Sequence, residues 1–271
     1  MSCNTLKKPR TLANGAYALV FTLLSNLAGV AIAADIEREQ RLVAELEASL
    51  FDGNLQQLSA GNVTFAAVEL SPESNPVRGS IVLLHGRGVH ADWPDNIGPL
   101  RIALAQNGWH TLSLQMPVLE KSAKYFDYLA ILPEAFPRIE AGINHLLTSG
   151  HGPIVLLAHS CGAHMAMAWL ETTVGRSIDA FIGIGMGATD YGQPMQRPFP
   201  FATLTIPVLD IYGSEDYPAV QRLAPIRLKA IEVGGDVNST QLSIDGADHN
   251  FTAYIDAMAQ PISRWLDSLT F

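Results

Sequence analysis

Ile81-Val82-Leu83-Leu84 is an unbroken apolar run that stops at His85-Gly86, and five more short, mostly apolar runs follow at 109–114, 154–158, 180–184, 208–212 and 241–244. Helix-like stretches lie between most of them, at 96–106, 134–147 and 163–171. A strand that is apolar on both faces must be covered on both. Such strands alternating with helices therefore predict an α/β fold with a mainly parallel central sheet and helices on both faces. Upstream, 63–70 alternates like a half-buried strand. Residues 35–50 read as an amphipathic helix with Ile36, Val43, Leu46 and Leu50 near one face. At the other end Ile255, Met258, Ile262, Trp265, Leu266 and Leu269 recur at helical spacing, with Pro261 set to kink or restart that helix. There is no internal repeat, low-complexity tract or dividing linker. The expectation is one domain over 34–271, with 34–61 as an N-terminal helical extension and no large separate lid domain.

The first 33 residues read as an address rather than as fold. Lys7, Lys8 and Arg10 open them without an acidic residue, 16–30 is mostly apolar, and Ala31-Ile32-Ala33 sets small residues three and one positions before a possible cut. That order predicts a signal peptide cleaved after Ala33, with Ala34 starting a periplasmic or secreted mature chain. The alternative is a retained anchor, for which the run is of borderline length and is interrupted by Ser25 and Asn26. Lys and Arg number 17 against 26 Asp and Glu, a formal charge of −9. Loss of the leader removes three positive charges and no negative ones, leaving 14 against 26, or −12. No basic block interleaved with aromatics occurs, so nucleic acid is not an expected partner, nor is stable membrane insertion once the leader is gone. Cys3 and Cys161 are the only cysteines, which excludes a disulfide scaffold and a cysteine-rich zinc module.

In open α/β sheets, sites gather beyond the carboxyl ends of the strands. Three such ends carry candidate chemistry. The run 154–158 leads into Ala158-His159-Ser160-Cys161-Gly162, with small residues two before and two after Ser160, as a nucleophile on a sharp strand-to-helix turn requires. Cys161 fails that test, since His159 and Ala163 flank it. The plain alternative is a serine in an ordinary turn. Asp216 follows the run 208–212 and is placed to hold a histidine tautomer, or else to cap a helix. Asp210 lies inside the strand, Glu215 comes one step early, and Asp190 is a backup acid. His249 sits between the last strand and the C-terminal helix, within reach of Ser160 or simply on a surface loop. His159 and His164 are local to the turn, and His110 and His151 sit near strand starts. No pair of these has a carboxylate in metal-binding context, so zinc is not expected.

Nucleophile, acid and base thus occur in the order Ser160, Asp216, His249, which is the α/β-hydrolase order. Residues from about 62 to 271 resemble that superfamily. Within it, Leu84-His85-Gly86-Arg87-Gly88 and Ala158-His159-Ser160-Cys161-Gly162 are similar to segments of a poorly characterised group of exported bacterial proteins. The chain departs from the pattern at Ala158, where the first glycine of the turn is usual. The residue after the nucleophile, Cys161, offers its N–H to an oxyanion. The resemblance implies a second donor at the Arg87 N–H, with Gly86 and Gly88 letting the backbone approach a substrate carbonyl. It implies a serine hydrolase that cleaves a small-molecule carboxylic ester or thioester through an acyl-serine, with no metal or organic cofactor. A peptidase is the weaker enzymatic alternative. A non-catalytic envelope binding or assembly protein on the same scaffold is the other. The stretch 189–206 is either a partly apolar cover or a proline-stiffened loop. Tyr125, Phe126 and Tyr128 are either a wall of the site or core. The Arg87 side chain either meets an anionic group or faces solvent.

Overall fold

Asp35 accepts a hydrogen bond from the Arg38 N–H and so caps helix α1 (Ile36–Ser49), the first element of a computed structural model that describes Met1 and residues 33–74, 76–172, 178–234 and 236–271. The expected leader lies, but for its two end residues, outside the described part. Ile32–Phe271 form one compact unit.

After α1 come β1 (Asn54–Ala60), β2 (Val63–Leu70), β3 (Gly79–Leu84), α2 (Ile97–Gln106), β4 (Trp109–Leu114), the single turn α3 (Tyr125–Tyr128) and α4 (Phe136–Ser149). Then follow β5 (Ile154–His159), α5 (Cys161–Thr172), β6 (Ala180–Ile184), β7 (Val208–Gly213), α6 (Pro218–Gly234), β8 (Thr240–Ile244) and α7 (Ile255–Ser268). The sheet order is β1-β2-β4-β3-β5-β6-β7-β8. β1–β2 and β2–β4 are antiparallel, and every other pairing is parallel.

Successive side chains of a strand point to opposite faces, and the two cores divide accordingly. Val82, Leu84, Leu112, Leu114, Leu156 and Phe181 meet Ile139 and Ile143 of α4 and Met165 and Trp169 of α5. Ile81, Leu83, Val155, Leu157, Ile182 and Leu209 meet Leu100 and Leu104 of α2 and Met258, Ile262 and Leu266 of α7. Helices cover both faces, as expected.

Two readings of the N-terminal stretch need correction. The 34–61 extension is helical only over Ile36–Ser49, and Asn54–Ala60 is a strand at the sheet edge. With one neighbour and much of its surface wet, β1 has no need of the apolar alternation that marks a half-buried strand. The buried face of α1 is Glu39, Leu42 and Leu46, while Ile36 is 47% exposed. Glu39 turns the helix, because its carboxylate meets Arg138 at 2.8 Å in the interior. α6 has no counterpart among the stretches read from sequence. Pro225 lies inside it, and Arg227 points inward to pair with the fully buried Asp210 at 2.7 Å, so its apolar period is broken.

Candidate active site

β5 ends at His159, and α5 opens at Cys161. The residue between them, Ser160, has φ 53, a left-handed conformation costly for a residue with a Cβ. Its N–H donates to Ile184 O and its carbonyl accepts from the Ala163 N–H, so both strand and helix hold the turn. Gly162 is required here. A Cβ on it would stand 2.6 Å from the carbonyl oxygen of His85, so α5 could not lie so close to the end of β3.

Three residues predicted from distant stretches meet at this turn. Asp216 follows β7 and is buried, as is His249, which follows β8. His249 Nδ1 lies 2.7 Å from Asp216 Oδ1, and His249 Nε2 lies 2.8 Å from Ser160 Oγ. A carboxylate only accepts, so Nδ1–H donates to Asp216 and the bare Nε2 accepts from the Ser160 hydroxyl. The Tyr217 N–H also donates to Asp216 Oδ1, at 2.6 Å. The Tyr217 ring stacks on the imidazole, 4.1 Å between centroids and 22° from parallel. On the other side His159 donates from Nε2 to the carbonyl of His249 at 2.9 Å, fixing the loop that carries the imidazole. Burial drives the His159 pKa down to about 3, helped by repulsion from His249, so its ring is neutral. Neither contact of Tyr217 and His159 has a spacing signature. Only the position of each beside a candidate residue hinted at a role.

Cys161 is the first residue of α5, where backbone N–H groups lack intrahelical partners. Its thiol is buried and pushed up to about 12, which leaves it no nucleophile. The loop after β3 lies against the turn: a Cβ on Gly86 would be 3.1 Å from His159 Nδ1 and 3.5 Å from Ser160 Cβ. The Arg87 side chain is exposed at the border of the cavity beside Ser160 and meets an anionic group of the chain itself. It contacts both carboxylate oxygens of Asp190 at 3.0 Å. Asp190, the backup acid, is thus engaged by Arg87 while His249 is engaged by Asp216, and it also accepts from the Tyr125 N–H. Burial raises its pKa, but that N–H and Arg87 outweigh burial and hold the carboxyl below its usual range. Gly88, with φ 70, offers its carbonyl to Arg38 Nη2 at 2.8 Å.

Ser160 opens onto a cavity of about 560 Å³ walled by Tyr125, His164, Ala188, Tyr191, Tyr217, Pro218 and Arg222. A smaller cleft of about 120 Å³ lies on the other side, between Gly86, Trp93, Asn96, His249 and Asn250. The aromatic trio splits: Tyr125 lines the large cavity, Tyr128 is core, and Phe126 is 39% exposed. The stretch 189–206 splits too. Residues 189–192 border the cavity, whereas Phe201 is buried in the core below.

A histidine pair that the sequence reading did not weigh shares one carboxylate. His110 and His145 both reach Glu69 Oε1, at 2.8 and 3.1 Å, at the end of the sheet opposite Ser160. His145 comes from α4 and Glu69 from β2, so only the fold brings them together. Among the described residues no group of three His, Cys, Asp or Glu could hold a metal ion. No helix among them is long and apolar enough to cross a membrane.

No curated protein matches this sequence. Solved structures do. Est1E from Butyrivibrio proteoclasticus is 15% identical with a TM-score of 0.60, covering 79% of this chain and 98% of its own. Dienelactone hydrolase from Anabaena variabilis is 19% identical with a TM-score of 0.61, covering 80% and 98%. A soluble variant of monoglyceride lipase from Saccharomyces cerevisiae is 14% identical with a TM-score of 0.60, covering 82% and 97%. The fold is that of the α/β-hydrolases. The family described as "Protein of unknown function (DUF3530)" matches residues 28–135 and 127–267, so the chain belongs to that family.

Proposed function

We propose that the protein is an exported serine hydrolase of small-molecule carboxylic esters or thioesters. The observation that carries the reading is the unbroken line Asp216–His249–Ser160, with both links under 3 Å. In that line the Ser160 hydroxyl attacks a substrate carbonyl while its proton passes to His249 Nε2. Asp216 keeps the imidazole in the right tautomer and offsets the charge it gains. The negative oxygen of the tetrahedral intermediate is received by the N–H groups of Cys161 and Arg87. His249 returns the proton to the leaving alcohol or thiol, and water then cleaves the acyl-serine by the same steps. This route needs no metal or organic cofactor. The large cavity suits the more apolar part of the substrate, and its borders at Tyr125 and Tyr191 favour an extended or aromatic group there. The names of the similar structures, a dienelactone hydrolase and a monoglyceride lipase, are those of hydrolases. A leader cleaved after Ala33 would deliver the enzyme to the periplasm or medium.

A fluorophosphonate probe should label the purified protein at Ser160. Ser160→Ala should abolish labelling and lower hydrolysis of activated esters at least about 1,000-fold with an unchanged melting temperature. Equal hydrolysis by Ser160→Ala refutes the assignment. A folded wild type that never labels indicates a binding or assembly protein on a hydrolase scaffold.

A further inference from the structure

The backbone nitrogen of Ala34 lies 3.3 Å from Oε1 and 3.3 Å from Oε2 of Glu134, equidistant from both oxygens. In the uncut chain that nitrogen is an amide, and among the described residues Glu134 has no cationic partner. Glu39 stands close enough for the two carboxylates to repel, and its guanidinium partner is Arg138. One more positive charge between Glu134 and the helix would complete the set.

The residues that follow Ala34 are tied to the segment after β4 and, through Arg38, to the loop after β3. The Asp35 N–H donates to Val118 O at 2.7 Å. Arg38 donates to Leu119 O and, at 2.8 Å, to Gly88 O. Arg138, held by Glu39, donates to Gln115 O at 2.9 Å. The Gln115 amide in turn lies 3.1 Å from His85 Nε2. Two hydrogen-bonded routes therefore join the first residues of α1 to both ends of the segment from His85 to Gly88.

We propose that cleavage after Ala33 turns the Ala34 nitrogen into an ammonium that pairs with Glu134, and that this new N-terminus braces α1 and, through Arg38 and Glu39, the loop offering the Arg87 N–H. The inference rests on the leader and on the catalytic reading above. The chemistry balances: a signal peptidase adds water across the Ala33–Ala34 amide, the carboxylate departs with the leader, and the freed amine takes up a proton. Arg38 and Glu134 are positioning residues in this scheme. They touch no substrate. Ion pairing with Glu134 raises the amine above its ordinary value of about 8. Its stabilisation is thus complete below that value and disappears as pH climbs through the raised one.

The test uses the full chain, exported by a bacterial host, as wild type, as Glu134→Gln, and with one glycine inserted between Ala33 and Ala34. The insertion leaves the small residues before the cut intact and moves the amine by one residue, about 3.8 Å. Intact mass should show a wild type beginning at Ala34. Both variants should melt lower than wild type at pH 7 and label at Ser160 about 5- to 10-fold more slowly. The melting difference should close between about pH 8 and 10, a step that loss of a neutral hydrogen bond would not produce. A processed, labelling wild type that both variants match in rate and in pH dependence overturns the inference and leaves the hydrolase reading standing. A different N-terminal mass overturns the leader reading and this inference with it. A correctly processed wild type that never labels removes the hydrolase reading and the loop's role.

Discussion

A single methyl group separates this chain from the usual form of the turn. Ala158 is fully buried, in register with Leu84 on one side and Gly183 on the other. Gly183 brings no Cβ to that row, and the Met186 side chain fills the space above it. The methyl therefore has room, and Ser160 keeps the φ of 53 that presents its hydroxyl to His249. Ala158→Gly should gain nothing at the site. It should cost about 0.5–1 kcal/mol, because glycine loses more freedom on entering a strand. Denaturant midpoints and turnover of an activated ester measure the two effects, with turnover expected within about threefold of wild type, under 0.7 kcal/mol of barrier. A tenfold rise in turnover would instead mean that the methyl distorts the turn.

Pieces joined as tightly as β5 and α5 leave no slack, and Gly162 is where that matters. Alanine there would meet the His85 carbonyl at 2.6 Å and that of Leu84 at 2.8 Å, both backbone atoms that cannot swing aside. Gly162→Ala should lower stability by about 1–3 kcal/mol. By moving Ser160 relative to the 85–88 segment, it should also cut turnover about 100-fold. Stability loss with full turnover would show that the helix shifts without disturbing the site. The same close packing explains what could be read from sequence. β6 was legible to the residue because a strand covered on both faces is apolar throughout, and β4 because Trp109, Leu112 and Leu114 keep it mostly so although His110, Thr111 and Ser113 interrupt it. Ser160 and Asp216 were legible because each follows a buried strand, and His249 because it follows the short edge strand β8. β1 was hidden by its exposed edge, α6 by Pro225 and Arg227, and the buried side of α1 by the charge on Glu39. Arg38, His159 and Tyr217 act by gripping carbonyls or stacking on a ring. Those contacts depend on chain segments arriving from elsewhere and leave no local pattern.

Over the whole molecule, buried histidines set the tolerance to acid, three of them strongly depressed and His90 lowered by burial as well. His85 and His159 are driven down to about 3 and His164 to about 4, in each case first by burial. Like charges add to it: His90 and Arg138 near His85, His249 near His159, and Arg227 and His249 near His164. All three stay neutral in the native state while an unfolded chain takes up protons near pH 6.5. A depressed native value means stability is complete above 6.5 and is lost as pH falls towards 4. The slope approaches about 1.4 kcal/mol per pH unit for each group, or about 4 for the three together. Glu39 and Asp210, which burial pushes up, bind protons more readily when folded and soften the fall. A domain stable by about 5–15 kcal/mol cannot absorb two such units comfortably. The melting temperature should therefore hold from pH 7.5 to 6.5 and drop steeply below about 6. His164→Gln keeps an N–H for the Ala188 carbonyl but not the titration. It should make the slope between about pH 6 and 4.5 shallower than in wild type, since one strongly depressed group is removed while the others remain. An unchanged slope would move the acid sensitivity to other groups. The same neutrality serves the proposed chemistry, because uncharged His159 and His164 do not raise the cost of putting a proton on His249.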